Sequence, residues 1–403
     1  MMKKTFRTGA LVLALIFAST ILAGCQQESS TSTASQSAAN AAASSEATAS
    51  GSTSEEEEMT EVMSEAVGEF TLSTEAIETL GSLEKVTDNF YHMNYTLDYA
   101  LDDVLTQGVS THQELNDFAS QQVLEGMPFN QQPPALGCSA FTAVTPEGDY
   151  IMGRNLDIAD AQNTLVHTKP ETGYESLATA SGLLLGYIDH MPDSMMGKLF
   201  LLAAPYYPVD GINEKGLSAT ILLQYNTPPV DQDTGKISIT TTLAIRMLLD
   251  KAATVEEAIE LMGSYDMHSI ANSNIHFQVA DASGDSAVIE YVNAEMRVLR
   301  SEGNGQPVTN FFLSPDAVEE YRDGEDRLIT LQAALDEGEG VVTTEKAMQM
   351  LESVKAVDDF DDLSGVNYNT SYSIVFNNSQ RSLEVCANMD YDNTYSFSVS
   401  ESD

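Results

Sequence analysis

Cys138-Ser-Ala-Phe-Thr-Ala-Val-Thr-Pro-Glu-Gly-Asp-Tyr-Ile-Met-Gly-Arg-Asn-Leu-Asp157 reads as a strand, a tight turn and a second strand. Pro146-Glu147-Gly148-Asp149 supplies the turn-forming residues. Pairing Thr145 with Tyr150 across that turn sets Cys138 opposite Asp157. Directly opposed residues in a hairpin have Cβ atoms ~4.5–5.5 Å apart. A thiol, a carboxylate and the Arg154 guanidinium are thereby expected at one end of a hairpin. Strict alternation puts Arg154 and Asp157 on opposite strand faces, so a bulge at Gly153, or the strand ending there, is expected to bring them together.

Outward from this hairpin, the flanks are rich in strands. Phe277–Asp281 and Ala287–Tyr291 are β-rich runs joined by a Ser-Gly-Asp turn, and Ser371–Phe376 and Ser382–Cys386 form a second pair around Asn377. Helical stretches lie between them: Leu243–Leu249, a run opened by Thr254 and Glu257 as a capping box, Ala317–Leu335 and Glu345–Val354. Hairpins with a central block of helices indicate a layered α+β fold, not an alternating βαβ one.

Four units precede or make up the body. Residues 1–25 have Lys3, Lys4 and Arg7, then an apolar run from Ala10 to Ala23, then Leu22-Ala23-Gly24-Cys25. A basic start, a short apolar core and small residues describe a secretory signal, too short for a comfortable membrane span. A cysteine after Leu-Ala-Gly resembles a bacterial lipobox, which implies diacylglyceryl attachment to Cys25 and anchoring on the extracytoplasmic face of the membrane. Residues 26–58 are Ser, Thr, Ala and Gln ending in four Glu, a disordered tether. Residues 59–137 turn helical in period: Val86, Phe90, Met93, Leu97, Leu101 and Leu105 suggest one amphipathic helix, and Ser110 or Thr111 with Glu114 caps a second. The Pro-Pro-Ala-Leu-Gly137 run breaks the pattern and offers an accessible place for chain cleavage before Cys138. Residues 138–403 form the body.

The chain has 403 residues, 18 Lys+Arg against 61 Asp+Glu, and a formal net charge of −43. Such a field repels nucleic acid and anionic membrane surfaces and suits a neutral or cationic small molecule. No zinc-type Cys/His spacing, phosphate-binding loop or dinucleotide glycine fingerprint occurs, so no metal or cofactor is expected. Whether the chain forms a homo-oligomer is left open.

The body resembles the choloylglycine hydrolase and linear amide C–N hydrolase family, a branch of the N-terminal nucleophile (Ntn) hydrolases. Four stretches carry the resemblance: Cys138 with Gly153-Arg154-Asn155-Leu156-Asp157, then Asp210-Gly-Ile-Asn213-Glu-Lys-Gly-Leu217, then Val308-Thr309-Asn310, then Arg327. The resemblance implies a four-layer αββα sandwich behind a helical pro-segment. It implies Cys138 as nucleophile, Arg154 favouring its thiolate, Asp157 holding its amine, Asn213 and Asn310 as oxyanion donors, and Arg327 completing the site. If the Gly137–Cys138 bond is cut, the new α-amine can act as base and no histidine is needed. An N-acyl amide is the expected substrate, with bile conjugates, β-lactam side chains, N-acyl amino acids and acyl-homoserine lactones all left open. An acyltransferase and a silent surface-binding lipoprotein stay as alternatives. Cys386, on a strand, is expected as a buried free thiol.

Overall fold

The computed structural model describes residues 71–130, 137–224, 227–271, 273–301, 303–317, 322–361 and 366–399. The signal, Cys25, the tether and the Pro-Pro linker lie outside the described residues. In chain order the elements are α1 (Thr74–Gly81), β1 (Glu84–Lys85), β2 (Phe90–Tyr95), α2 (Leu101–Gln107), α3 (His112–Gln122), β3 (Gly137–Val144), β4 (Tyr150–Ile158), β5 (Asn163–Thr168) and β6 (Ser176–Ala180). There follow α4 (Gly182–Leu185), β7 (Pro208–Asn213), β8 (Ser218–Gln224), β9 (Ile237–Thr240), α5 (Thr241–Lys251), α6 (Val255–Gly263), β10 (Tyr265–His268), β11 (Asn274–Ala280), β12 (Ser286–Val292) and β13 (Glu295–Arg300). The last are α7 (Glu325–Glu337), α8 (Thr344–Ser353), β14 (Asp359–Asp361), β15 (Val366–Asn377), β16 (Ser382–Ala387) and β17 (Tyr395–Ser398).

Two large sheets form the centre. A nine-stranded sheet runs β1-β2-β5-β6-β7-β8-β11-β12-β13, and a six-stranded sheet runs β17-β16-β15-β4-β3 with β14 paired to β15. Strand β3 packs on β8 across the gap between them. Helices α5 and α6 lie on the nine-stranded sheet, while α7 and α8 lie on the six-stranded one. The result is a mixed α+β architecture with helix, sheet, sheet and helix in succession. Alternation along β3 and β4 sorts the side chains into two cores. Cys138, Ala140, Met152 and Leu156 join the core between the sheets, and Phe141, Ala143 and Ile151 join a second core with Leu331, Leu335 and Met348 of the helix layer.

The helix-start signals at Thr111 and Thr254 are used, the second as a single side-chain cap without the reciprocal bond of a box. Thr111 and Glu114 make a reciprocal capping box on α3, and Thr254 caps α6 by accepting from the Glu257 amide. The single long helix expected from Val86 to Leu105 does not form. Phe90–Tyr95 is instead strand β2, paired in parallel with β5 from Phe90↔Asn163 to Tyr95↔Thr168. Its aromatic and mostly buried residues suit a pleated surface, and a distant partner strand outweighs the local helical spacing. The segment before Cys138 is therefore a structural member of the nine-stranded sheet.

That membership is reinforced by buried hydroxyls. Tyr95 Oη donates to the Leu202 carbonyl at 2.7 Å, Tyr206 Oη to the Tyr99 carbonyl at 2.6 Å, Tyr207 Oη to Asn116 at 2.6 Å and Tyr99 Oη to Asp250 at 2.6 Å. Phe90, Met93, Val104 and Leu115 are fully buried, each contributing roughly 1.5–3 kcal/mol by burial. A chain cut by an inserted protease site within residues 131–136 should therefore elute as one particle in size-exclusion chromatography. Its two pieces should separate only in denaturant, and Phe90→Ala should lower the unfolding free energy by about 3–5 kcal/mol.

Candidate active site

The hairpin closes one residue earlier than the turn reading gives. Val144 pairs with Tyr150, so Gly137 faces Asp157, Cys138 faces Leu156 and Ala140 faces Arg154. Thr145 belongs to the loop: its amide donates to the Asp149 carbonyl at 2.7 Å, its carbonyl accepts from Gly148, and Gly148 takes φ +93°. A one-residue shift reverses which side chains share a face. Cys138 and Arg154 now point together into the gap between the sheets, and Asp157 points to the helix layer.

On the inter-sheet side, Arg154 Nη2 lies 3.4 Å from Cys138 Sγ and donates to the Ile221 carbonyl at 3.1 Å. The thiol itself lies 3.7 Å from the same carbonyl. Arg154 is fully buried, and its Nη1 pairs with Asp210 and with Tyr372 Oη, which in turn donates to Asp210 at 2.7 Å. On the helix side, Arg327 from α7 donates to the Cys138 carbonyl at 2.9 Å, to Ser139 Oγ at 2.9 Å and to Asp157 at 3.2 Å. Thr370 Oγ1 also donates to Asp157, at 2.6 Å. The expected bulge at Gly153 is absent from the β3–β4 pairing. The irregularity falls instead on β15 between Thr370 and Tyr372. It turns Thr370 to the helix face and Tyr372 to the inter-sheet face, so one strand supports both charged clusters.

The third flank of Cys138 is the run 308–310. Ala140 and Val308 exchange both backbone hydrogen bonds at 2.8 Å. Two residues along in antiparallel sense, Asn310 Oδ1 accepts from the Cys138 amide at 3.0 Å and from Arg327 at 2.9 Å, while its Nδ2 donates to the Leu223 carbonyl at 2.7 Å. Cys138, Arg154, Asp157, Asn310 and Arg327 thus converge. A Cβ at Gly137 would stand 3.1 Å from Asp157 Cβ and 3.4 Å from the Tyr368 ring, close enough that these neighbours would have to yield slightly.

Asn213 does not join them. Its Nδ2 donates to the Leu249 and Ala252 carbonyls at 2.9 and 2.8 Å, and its Oδ1 accepts from the Lys215 and Leu217 amides at 3.0 Å each. Its four hydrogen bonds hold the β7–β8 turn to the end of α5, leaving no donor for an oxyanion. The residue that the sequence reading passed over is Asp210, three positions earlier in the same quoted stretch. An acidic residue in a wholly buried strand is the signal that marks it, since a buried carboxylate calls for a cationic partner.

Burial pushes the Cys138 thiol up to about 11, more than the Arg154 guanidinium draws it down. Arg154 alone does not yield a thiolate in the intact chain. Burial likewise raises Asp157 above the usual carboxylate range, against the pull of Arg327 and Thr370. Cys386 is buried and unpaired, as is Cys138, so no disulfide joins the two. Among the described residues no group of three or more His, Cys, Asp or Glu is placed to hold a metal ion.

Asn213→Ala would strand two amides and two carbonyls in a buried turn. Denaturant unfolding should report a loss of roughly 2–4 kcal/mol, while alkylation of Cys138 in the folded protein should be unchanged. Altered alkylation at full stability would return Asn213 to the site.

Residues 138–309 match the family model of linear amide C-N hydrolases, choloylglycine hydrolase family. A penicillin V acylase of Pectobacterium atrosepticum is 27% identical over 195 residues, which are 44% of this chain and 50% of that protein. The chain thus matches half the length of this curated relative. Among solved structures, the penicillin V acylase from Agrobacterium tumefaciens aligns with a TM-score of 0.47 at 16% identity over 65% of this chain and 86% of that one. The conjugated bile acid hydrolase from Clostridium perfringens gives 0.46 at 16% identity over 65% and 92%. A Caenorhabditis elegans N-acylethanolamine-hydrolyzing acid amidase ortholog gives 0.40 at 15% identity over 60% and 93%. Residues 138–309 of the chain are thus similar to the choloylglycine hydrolase family of linear amide C–N hydrolases.

Proposed function

We propose that the chain is an amidase that hydrolyses linear N-acyl amides through Cys138, after the bond between Gly137 and Cys138 is cut. The observation that carries this reading is the threefold grip on Cys138: Arg154 at its sulfur, Asn310 at its nitrogen and Arg327 at its carbonyl. A structural cysteine has no use for an amide acceptor aimed at its own N–H and a guanidinium beside its sulfur.

The chemistry runs in two stages. In the first, Cys138 Sγ adds to the Gly137 carbonyl carbon and the C–N bond breaks. This gives a thioester to Gly137 and a free Cys138 amine, and water then hydrolyses the thioester. In the second, the freed amine, with a reference pKa of ~7.7–8.0, takes the thiol proton as Sγ attacks the substrate carbonyl. The same proton passes to the leaving amine, an acyl-thioester forms, and water releases the acid. Asp157, facing Gly137 across the hairpin, lies where it can hold the new ammonium. Leu223 occupies one hydrogen of Asn310 Nδ2, and the second is available to a developing oxyanion. Anchoring through lipidated Cys25 on the extracytoplasmic face belongs to the same proposal, and rests on the basic start, short apolar run and Leu-Ala-Gly-Cys25 of the sequence.

Cys138→Ala should leave the chain uncut in intact-mass analysis and without turnover on any panel of N-acyl amides. Amide hydrolysis by that variant would sink the mechanism. Asn310→Ala should lower kcat about 10²–10³-fold, the usual cost of one oxyanion donor, in a steady-state assay of the cleaved enzyme.

The raised thiol sets a pH test. In the uncut chain the neutral thiol persists until pH approaches about 11, so alkylation of Cys138 should keep climbing, about tenfold per pH unit, from pH 8 to 10. An ordinary thiol with pKa ~8.5 levels off above pH ~9. Iodoacetamide labelling followed by peptide mass spectrometry distinguishes the two curves, and a plateau near pH 9 would refute the masked thiol.

A further inference from the structure

Asn310 works only if its backbone is held to a fraction of an ångström, yet the run 308–310 lies outside the named strands. Two buried side chains of the nine-stranded sheet take hold of it from either side. His276 on β11 and Glu290 on β12 are directly opposed in the ladder, both fully buried, with Nδ1 and Oε1 3.2 Å apart. One residue before Asn310, the Thr309 carbonyl accepts from His276 Nε2 at 2.7 Å. Three and four residues after it, the Leu313 and Ser314 amides donate to Glu290 at 2.7 and 3.0 Å, and Ser314 Oγ donates at 2.6 Å. The pair therefore straddles the amide that contacts the nucleophile.

The hydrogen-bond directions restrict what His276 can do. A backbone carbonyl only accepts, so Nε2 carries a hydrogen and gives it to Thr309. Nδ1 faces a carboxylate, with Gln224 Nε2 at 3.4 Å on the same nitrogen. Burial works to raise Glu290, but hydrogen bonds from His276, Ser314 and Leu313 outweigh it and keep its carboxyl below the usual range. Both ring nitrogens are thus engaged with groups other than the thiol. A buried histidine bonded to the residue before Asn310 invites the role of general base, and these contacts deny it.

We propose that His276 and Glu290 are positioning residues: together they fix the Thr309–Ser314 run, and with it the Asn310 amide that addresses the nitrogen of Cys138. The inference rests on the amidase reading of Cys138. Gln278, two positions along the same face of β11, binds the Gln306 carbonyl at 2.7 Å, so the sheet grips this run at a further point. The chain from Gln306 to Ser314 lies along β11 and β12 as a held strap, and Asn310 is its working residue.

The test uses the full cleaved chain with His276→Leu, His276→Gln and Glu290→Gln, each followed by kcat and KM on an amide that wild type turns over, by thermal unfolding, and by the alkylation rate of Cys138. His276→Leu and Glu290→Gln should lose about 10–100-fold in kcat with KM nearly unchanged, the size of effect that a displaced catalytic group produces. His276→Gln, whose amide nitrogen can still reach the Thr309 carbonyl, should recover most of that loss. Full kcat in a folded His276→Leu enzyme overturns the proposal. So does a loss of activity that merely follows the unfolded fraction and that His276→Gln does not rescue. If wild type shows no Cys138-dependent turnover, the amidase reading fails on its own. Alkylation then decides the positioning role, which still requires His276→Leu, and not His276→Gln, to change the rate.

Discussion

A guanidinium with no exposure to solvent sits between two β-sheets, and the rest of the site is arranged around that fact. Arg154 in the gap must be neutralised and hydrogen-bonded, because removing one partner of a buried pair costs several kcal/mol. Asp210 and Tyr372 meet the demand from two different strands, β7 of one sheet and β15 of the other. The ion pair therefore ties the sheets together at the place where β3 packs on β8. With one end of the guanidinium so committed, its other nitrogen is held toward Cys138 Sγ and the Ile221 carbonyl. The interaction that reconciles a charge with the core also aims it at the sulfur.

The alternation of β3 then divides the labour. The sulfur of Cys138 belongs to the inter-sheet layer and its carbonyl to a cation from the helix layer. Arg154 and Arg327 never compete for the same acceptor, and each has its own carboxylate, Asp210 or Asp157. The bulge at Thr370–Tyr372 serves this separation, since without it both residues would point to one side. A single strand irregularity thus supports both clusters.

What the sequence revealed, it revealed through short-range chemistry. The capping box at Thr111, the cap at Thr254, the hairpins at 277–291 and 371–386, and the approach of Arg154 and Asp157 to Cys138 depend on residue types at short offsets, while Asn310 and Arg327 follow from the family resemblance. The errors lie where distant partners decide. Strand β2 finds its neighbour some seventy residues on, in β5, and nothing within Phe90–Tyr95 announces that pairing. The hairpin register turned on one residue, because Thr145 can serve equally as the last strand position or the first loop position. Asn213 was misjudged because an amide that can stabilise an oxyanion is equally apt to close a turn, and only its four partners tell which. Asp210 stood in plain view, but the cation that explains it comes from another sheet.

The proposed cleavage before Cys138 has a physical rationale in the intact chain. A thiol buried to the point of titrating near 11, and lying within reach of the Ile221 carbonyl, is closed to an external amide at neutral pH, whereas the proposed self-cleavage asks it to reach only the adjoining Gly137 carbonyl of its own backbone. Its nitrogen is an amide bound to Asn310, so no base stands beside it. Under the proposed function, breaking the bond to Gly137 would change both conditions through one event. It converts the amide into an amine able to take the thiol proton, and it opens the end of β3 that Gly137 fills. Because the preceding segment contributes β2 and its tyrosine hydroxyls to the same fold, the break need not dissolve the scaffold. Activation by cleavage, as proposed, would then call for a change at one strand end only, with the cations, Asn310 and the strap that holds it already in position.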